Sequence, residues 1–195
     1  MPGLSGILAF DQATTSGWAW AEPGQEPVWG HWRSGKREAW EGEVFNAFRF
    51  SLHRLIGQHK PDCVGFESPF VPRPDRSGAA KTLNPATLRR AYGFVAHITE
   101  MVEAYGVGQI EEVQSSEFTK FFTGKGRFPG ETAEARTANK RNAIVAACRA
   151  RGWEATHDEA VAIALLMFVE YKLYPRESIG RGMKLRLPRG PLFGT

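Results

Sequence analysis

Cysteine is scarce in this chain: two among 195 residues, Cys63 and Cys148. Both stand among apolar neighbours. That excludes a disulfide framework and predicts buried free thiols in a reducing compartment. Long hydrophobic runs are missing too. The longest, Ala160 to Val169, falls well short of the roughly 20 residues a membrane-spanning helix needs. The N-terminus has neither a basic start nor an extended apolar stretch, so no signal peptide is expected. There is no internal repeat and no linker that would split the chain, and glycine and proline are too few to suggest disorder. What these absences leave is one soluble, intracellular domain with room for a sizeable core.

What is present is an uneven charge. The net value is only +4. Yet residues 115–152 carry eight Lys or Arg against three acids, and residues 172–195 carry six against one. The remainder is acidic. Positive charge gathered into two segments points to a polyanionic partner, although a solvated basic face has the same composition.

The first pattern along the chain is Leu4 to Trp20, LSGILAFDQATTSGWAW. A short apolar run, Ile7 to Phe10, ends on Asp11; a turn-rich stretch follows, and a second run begins at Trp18. This predicts strand, turn, strand, with a carboxylate at the end of the first strand. Asp11 taken alone could simply shape the turn. Val28 to Arg33 predicts a third strand and completes an antiparallel meander. Apolar residues from Trp40 to Ile56 recur at spacings of three and four, so a helix is expected over Glu38 to His59, with His53 and His59 facing solvent. Asp62 to Glu67 predicts a buried strand that again ends on an acid. A Pro-rich loop, Ser68 to Thr82, carries Arg73, Arg76 and Lys81. Asn84-Pro85 opens a helix running to Tyr105, and Gln109 to Val113 is a fifth strand. Ser115 or Ser116 caps a short helix, and Thr123 to Arg136 is a basic, Gly-rich loop without P-loop spacing. Helices over Thr137 to Arg151 and Thr156 to Tyr171 follow, the last opened by the capping box Thr156-x-x-Glu159.

The order β-β-β-α-β-α-β-α-α-α predicts an α/β fold of ribonuclease H-like topology. Its five-stranded mixed sheet has an antiparallel meander, then parallel strands, with helices on both faces. Residues 1–173 form the domain, and residues 174–195 a basic, loosely ordered tail. In this topology the strands ending at Asp11 and Glu67 are neighbours, and Asp158 opens the helix that crosses the same end of the sheet. Three converging carboxylates repel one another unless a cation holds them, and hard oxygen ligands select Mg²⁺ or Mn²⁺. A pair of such ions catalyses phosphodiester hydrolysis.

Four segments in order, ILAFDQATTSGWAW, VGFESPF, SSEFTKFFTGKGR with Asn139-Lys140-Arg141, and HDEAVAIALL, together resemble the RuvC family of Holliday junction resolvases, of phage or prophage type. The likeness covers roughly residues 5–171. It implies a homodimeric endonuclease that needs two Mg²⁺ or Mn²⁺ ions and nicks four-way DNA junctions symmetrically in a bacterial or phage-infected cytoplasm. It also implies that Asp11, Glu67 and Asp158 are catalytic metal ligands, and that Lys120, Lys125, Arg127, Lys140 and Arg141 contact DNA, with Arg73, Arg76 and Lys81 added from the Pro-rich loop. Phe128 is the aromatic placed to wedge into the junction. Leu88, Tyr92, Val95 and Ile98 are candidates for core or dimer interface.

One departure matters. The family's last helix carries acids, or a His and an acid, at i and i+3; here Asp158 is followed by Val161. His157, on nearly the same helix face, and Glu159, adjacent but also the capping-box acid, are the candidate catalytic replacements. Gln12-Ala13 also stands where the family commonly has Pro-Gly. Three other readings remain open from sequence. One is a junction-binding protein without strong catalysis. Another is a ribonuclease H-fold nuclease acting on forks or RNA–DNA hybrids. The third, suggested by FDQATTS, is a fragment of an actin-like sugar kinase, although 195 residues cannot supply two ATP-enclosing lobes.

Overall fold

The computed structural model describes residues 6–36, 38–69 and 84–175. Five strands form one sheet: β1 (Ile7–Asp11), β2 (Thr15–Ala21), β3 (Val28–Arg33), β4 (Cys63–Glu67) and β5 (Gln109–Val113). Their order is β3-β2-β1-β4-β5. The meander β1-β2-β3 is antiparallel, whereas β4 lies parallel to β1 and β5 parallel to β4. Helices α1 (Glu41–His59) and α2 (Pro85–Ala104) cover one face, and α3 (Ser115–Thr123), α4 (Ala133–Arg149) and α5 (His157–Leu173) the other. The expected ribonuclease H-like architecture is therefore present, strand for strand.

The period-2 alternation of a strand sorts β1 between two cores. Leu8 and Phe10 join Val44, Phe48 and Leu52 of α1, while Ile7 and Ala9 join α5. The α5 side of the sheet is built largely of small residues, Gly17, Ala19 and Ala21 on β2, Ala9 on β1, Cys63 and Gly65 on β4, with Ile7 and Val113 the larger ones. A helix can approach such a face closely. It needs to be apolar all round, because α3 and α4 cover its far side. Ala160 to Met167 are all buried, with Ile163, Leu165 and Leu166 fully excluded from water. Each such side chain contributes about 1.5–3 kcal/mol of burial. The longest apolar run in the sequence is thus the central helix of a three-layer domain.

Several expectations need correction at element boundaries. β2 begins at Thr15, not Trp18. Helix α1 begins at Glu41, and Trp40 is its N-cap and 79% exposed, outside the apolar stripe. Gln114, not either serine, caps α3, through a reciprocal box with Glu117. Helix α4 starts at Ala133 because the Thr132 hydroxyl accepts from Ala135 N, so the Gly-rich loop is shorter than it reads. His53 is exposed as expected, but His59 is not free in solvent. Its ring stacks on Trp20 at 4.8 Å and lies 5.6 Å from Trp18, and burial holds its imidazole below the ordinary value. On α2, Ile98 is core and Leu88 and Val95 are half-buried, while Tyr92 is exposed. Both cysteines are buried free thiols, pushed up to about 12 chiefly by that burial. Among the described residues no helix is long and apolar enough to cross a membrane.

Candidate active site

The site grows out of two strand ends. In the parallel pair, Phe10 sits opposite Phe66, so Asp11 and Glu67 follow side by side at the carboxyl edge of β1 and β4. By the strand period both share the small-residue face with Ala9 and Gly65, the face α5 packs on. Asp11 is paired with Gly17 across the antiparallel ladder. Over Gly17 lies the first turn of α5: a Cβ added there would stand 1.9 Å from the Asp158 carbonyl oxygen and 2.3 Å from its carbon. The absent side chain of Gly17 is what lets Asp158 reach the strand ends.

The turn between β1 and β2 is fixed by buried Ser16, whose hydroxyl accepts from Ala13 N at 3.2 Å and donates to Ala13 O at 2.7 Å. Gln12 ties the two acid-bearing strands together, its side-chain amide donating to the Glu67 carbonyl. On the opposite side, Ser68 N donates to Val113 O at 2.8 Å, so the chain leaving Glu67 is anchored to β5.

Asp11 feels both of the other acids. The Asp11 carboxyl is pushed from 3.8 up to about 8, first by burial, then by Glu67 and Asp158, with Lys140 and Arg141 opposing. A buried carboxyl raised by two like-charged neighbours is the setting in which a divalent cation is favoured. The donor set fits such an ion: three carboxylates of hard oxygen character, with an imidazole beside them. His157 Nδ1 lies 3.0 Å from Asp158 Oδ1, and its Nε2 is buried with no hydrogen-bond partner. In their present positions no three His, Cys, Asp or Glu side chains among the described residues are gathered into a ready-made cage.

The two proposed substitutes for the missing acid are now distinguishable. Glu159 is committed elsewhere. Its Oε2 accepts from Thr156 N at 2.7 Å in the capping box, and His31 Nδ1 lies 2.8 Å from its Oε1. Burial alone would raise this carboxyl, but the bonds from His31 and Thr156 outweigh it and hold it below the usual range. His157 keeps a free ring nitrogen. Val161 is buried, 4% exposed, among the side chains of the α5 core, so position 161 serves packing.

The basic residues divide. Lys140 on α4 donates to Ser115 Oγ at 2.7 Å and with Arg141 opposes the charge at Asp11. Lys125, Phe128 and Lys140 line a groove of about 920 Å³ that begins at Ser68, next to Glu67, and runs along α3. Phe128 is half-buried there, whereas Lys120, on α3, and Arg127, in the loop after it, are exposed. Arg73, Arg76 and Lys81 lie outside the described residues, as does the tail beyond Pro175.

Sequence reading missed Gly17, Gln12 and His31 as parts of this site. A signal for the first was available: small residues alternate along β2 at 17, 19 and 21 and recur at Ala9 and Gly65. Nothing local marks Gln12 or His31, because their partners are 55 and 128 residues away.

Solved structures share this fold. T. thermophilus RuvC in complex with a Holliday junction substrate superposes with a TM-score of 0.61 over 86% of this chain and 94% of that one, at 8% identity. The fold is that of RuvC. A second Thermus thermophilus RuvC structure gives 0.58 at 11% identity, covering 86% and 95% of the two chains. The yeast mitochondrial Holliday junction resolvase Ydc2 gives 0.53 at 9%, covering 92% and 85%. No protein-family model and no curated protein sequence matches the chain.

The seating of α5 over Gly17 and the burial of Asp11 each lead to a measurable outcome. Gly17→Ala forces the backbone of α5 away, because a carbonyl cannot yield as a side chain does. It should cost about 1–3 kcal/mol of stability and raise the half-saturating concentration of Mn²⁺. Gly65→Ala meets chiefly the Val169 side chain, with Cγ2 at 2.9 Å, away from the first turn, so it should lower stability while leaving Mn²⁺ binding unchanged. Calorimetric titration of both variants checks this; equal effects on Mn²⁺ would contradict it. The second prediction concerns Asp11. Between the ordinary 3.8 and about 8, the folded protein holds this proton more tightly than the unfolded chain. Stability in chelator therefore falls as pH rises through that window. Asp11→Asn should be more stable than the parent at pH 8, by on the order of 1–3 kcal/mol, with the gain gone at pH 4. Denaturant melts at the two pH values decide it.

Proposed function

We propose that the protein is a structure-specific endonuclease that resolves four-way DNA junctions by paired, metal-dependent phosphodiester hydrolysis. The observation that carries this reading is the convergence of Asp11, Glu67 and Asp158 from three separate elements, with Asp11 raised to about 8 by burial and its two acidic neighbours. A RuvC-like fold supports it, since one of the similar structures is described as bound to a Holliday junction substrate.

Asp11, Glu67 and Asp158 would hold divalent ions, Mg²⁺ or Mn²⁺, with His157 Nε2 able to complete the set. Bound there, a pair of ions stabilises both the attacking and the leaving oxygen of phosphodiester hydrolysis. The chain's own residues do the rest. Gln12 holds Glu67 level with Asp11 through the strand-end carbonyl. Lys140, anchored on Ser115, presents positive charge to a phosphate entering beside Asp11. Lys125 and the groove along α3 continue that charge away from the acids, and Lys120, Arg127 and Arg141 add exposed contacts whose contribution salt would screen. Half-buried Phe128 offers an apolar ring to an unstacked step of branched DNA. Paired nicks on opposite strands require two such sites, hence a homodimer, to which the exposed ring of Tyr92 on α2 is available.

The test is side-by-side cleavage of a four-way junction, a fork and an RNA–DNA hybrid in Mn²⁺. The junction should be cut fastest. Asp11→Asn should reduce cleavage by at least about 100-fold while retaining junction binding in gel-shift assays. His157→Ala should raise the Mn²⁺ requirement. Glu159→Ala should instead lower stability by about 1 kcal/mol through the lost capping box, with the Mn²⁺ requirement unmoved. Cleavage of the hybrid in preference to the junction, or parental rates in Asp11→Asn, would overturn the reading.

A further inference from the structure

Lys125 and Lys140 line a groove that begins past the ends of β4 and β5, at Ser68 and Gln114. That is one flank of the acids. On the other flank the sheet ends in β3. There the cross-strand register continues the line of the site: Asp11 is paired with Gly17, and Gly17 with His31. Directly opposed residues share a face of the sheet, so His31 stands on the face that carries Asp11 and α5. Arg33 shares it by the strand period. It is paired with Thr15, the residue at which β2 leaves the turn that follows Asp11.

Both side chains are presented to solvent, and both are held. The His31 side chain is 49% exposed, with Nδ1 2.8 Å from Glu159 Oε1. Nε2, on the far side of the ring, has no hydrogen bond to any described residue. Arg33 is exposed. Its Nε donates to Gly35 O at 2.9 Å, and no carboxylate among the described residues pairs with its guanidinium. The backbone beneath it is fixed. Ser34 N donates to Thr14 O at 2.8 Å, and the buried Ser34 hydroxyl accepts from Trp32 Nε1 at 3.0 Å. The guanidinium therefore projects from a strand end tied to the turn beside Asp11.

An exposed guanidinium without a carboxylate partner is a fork for an anionic oxygen pair. An imidazole already bonded to a carboxylate through Nδ1 can donate to an anion from Nε2 as well, as the doubly protonated ring. Two strand spacings separate His31 from Asp11, roughly 10 Å between backbones, a span of a few nucleotides of one strand. A small anion would need only one flank of the acids. Cations on both flanks match a polyanion that runs through them. We infer, resting on the nuclease reading above, that Arg33 and His31 bind a backbone phosphate of the cleaved strand on the flank away from Lys140. The strand then enters along the α3 groove, passes Asp11 and leaves over β3, gripped on both sides of the phosphate that is cut. Such a grip fixes the reacting phosphate against the acids.

The test replaces each phosphate near the cut in a four-way junction, one at a time, by an uncharged methylphosphonate. Binding is measured in Ca²⁺, for the parent and for Arg33→Ala, His31→Ala and Lys140→Ala. The parent should lose affinity at positions on both sides of the cut. Arg33→Ala should bind the intact junction about tenfold more weakly, with the slope of log affinity against log salt reduced by about one. It should also be insensitive to replacement on one side only. His31→Ala should lose sensitivity on that same side, and Lys140→Ala on the other. Parental affinity, slope and profile in Arg33→Ala would overturn the inference while leaving the nuclease reading intact, as would a loss on the same side as Lys140→Ala. A parent that neither binds nor cuts junctions would overturn both.

Discussion

Everything in this molecule depends on how closely α5 can lie on the sheet. A helix of Ala, Val, Ile and Leu on a face of Gly, Ala and Cys has its backbone near the strands, not a side-chain layer away. At Gly17 the separation leaves no room for even a methyl group below the Asp158 carbonyl. A larger residue on that face would lift the helix, and its first turn would leave the strand ends where Asp11 and Glu67 emerge. Packing and chemistry are therefore one constraint: the contact that fills the core on one side of the sheet also sets the distance between three acids.

The electrostatics follow from that placement. Burial first, and then the like charges of Glu67 and Asp158, raise the proton affinity of Asp11. Among the described residues, two cations from α4, Lys140 and Arg141, oppose that rise. Glu159 shows the contrast. It stands next to Asp158 in sequence but is turned toward Thr156 and His31, so its oxygens hold the helix start in place.

Much of this was legible in the residues. Strand order and the two strand-end acids followed from short apolar runs stopped by Asp11 and Glu67, and the last helix from an apolar run bounded by a capping box. Those are local patterns, and local patterns survive folding. What the residues did not reveal was set by distant partners. His59 reads as a polar residue on a helix, yet two indoles from β2 enclose it. The start of α4 depended on one hydroxyl, Thr132, inside what reads as a glycine-rich loop. Arg90 and Gln12 are 78 residues apart and line one cavity only because α2 docks beside the β1–β2 turn. Position 161 was visible as a missing ligand; that valine there belongs to the core became clear only from its burial.

The central claim is that Asp11, Glu67 and Asp158 form a divalent-cation site because α5 closes on the small-residue face. Anomalous diffraction from crystals soaked in Mn²⁺ tests it most directly. The account predicts anomalous peaks among these three carboxylates, with the first turn of α5 still seated over Gly17. Mn²⁺ bound elsewhere, with none beside Asp11, would contradict it.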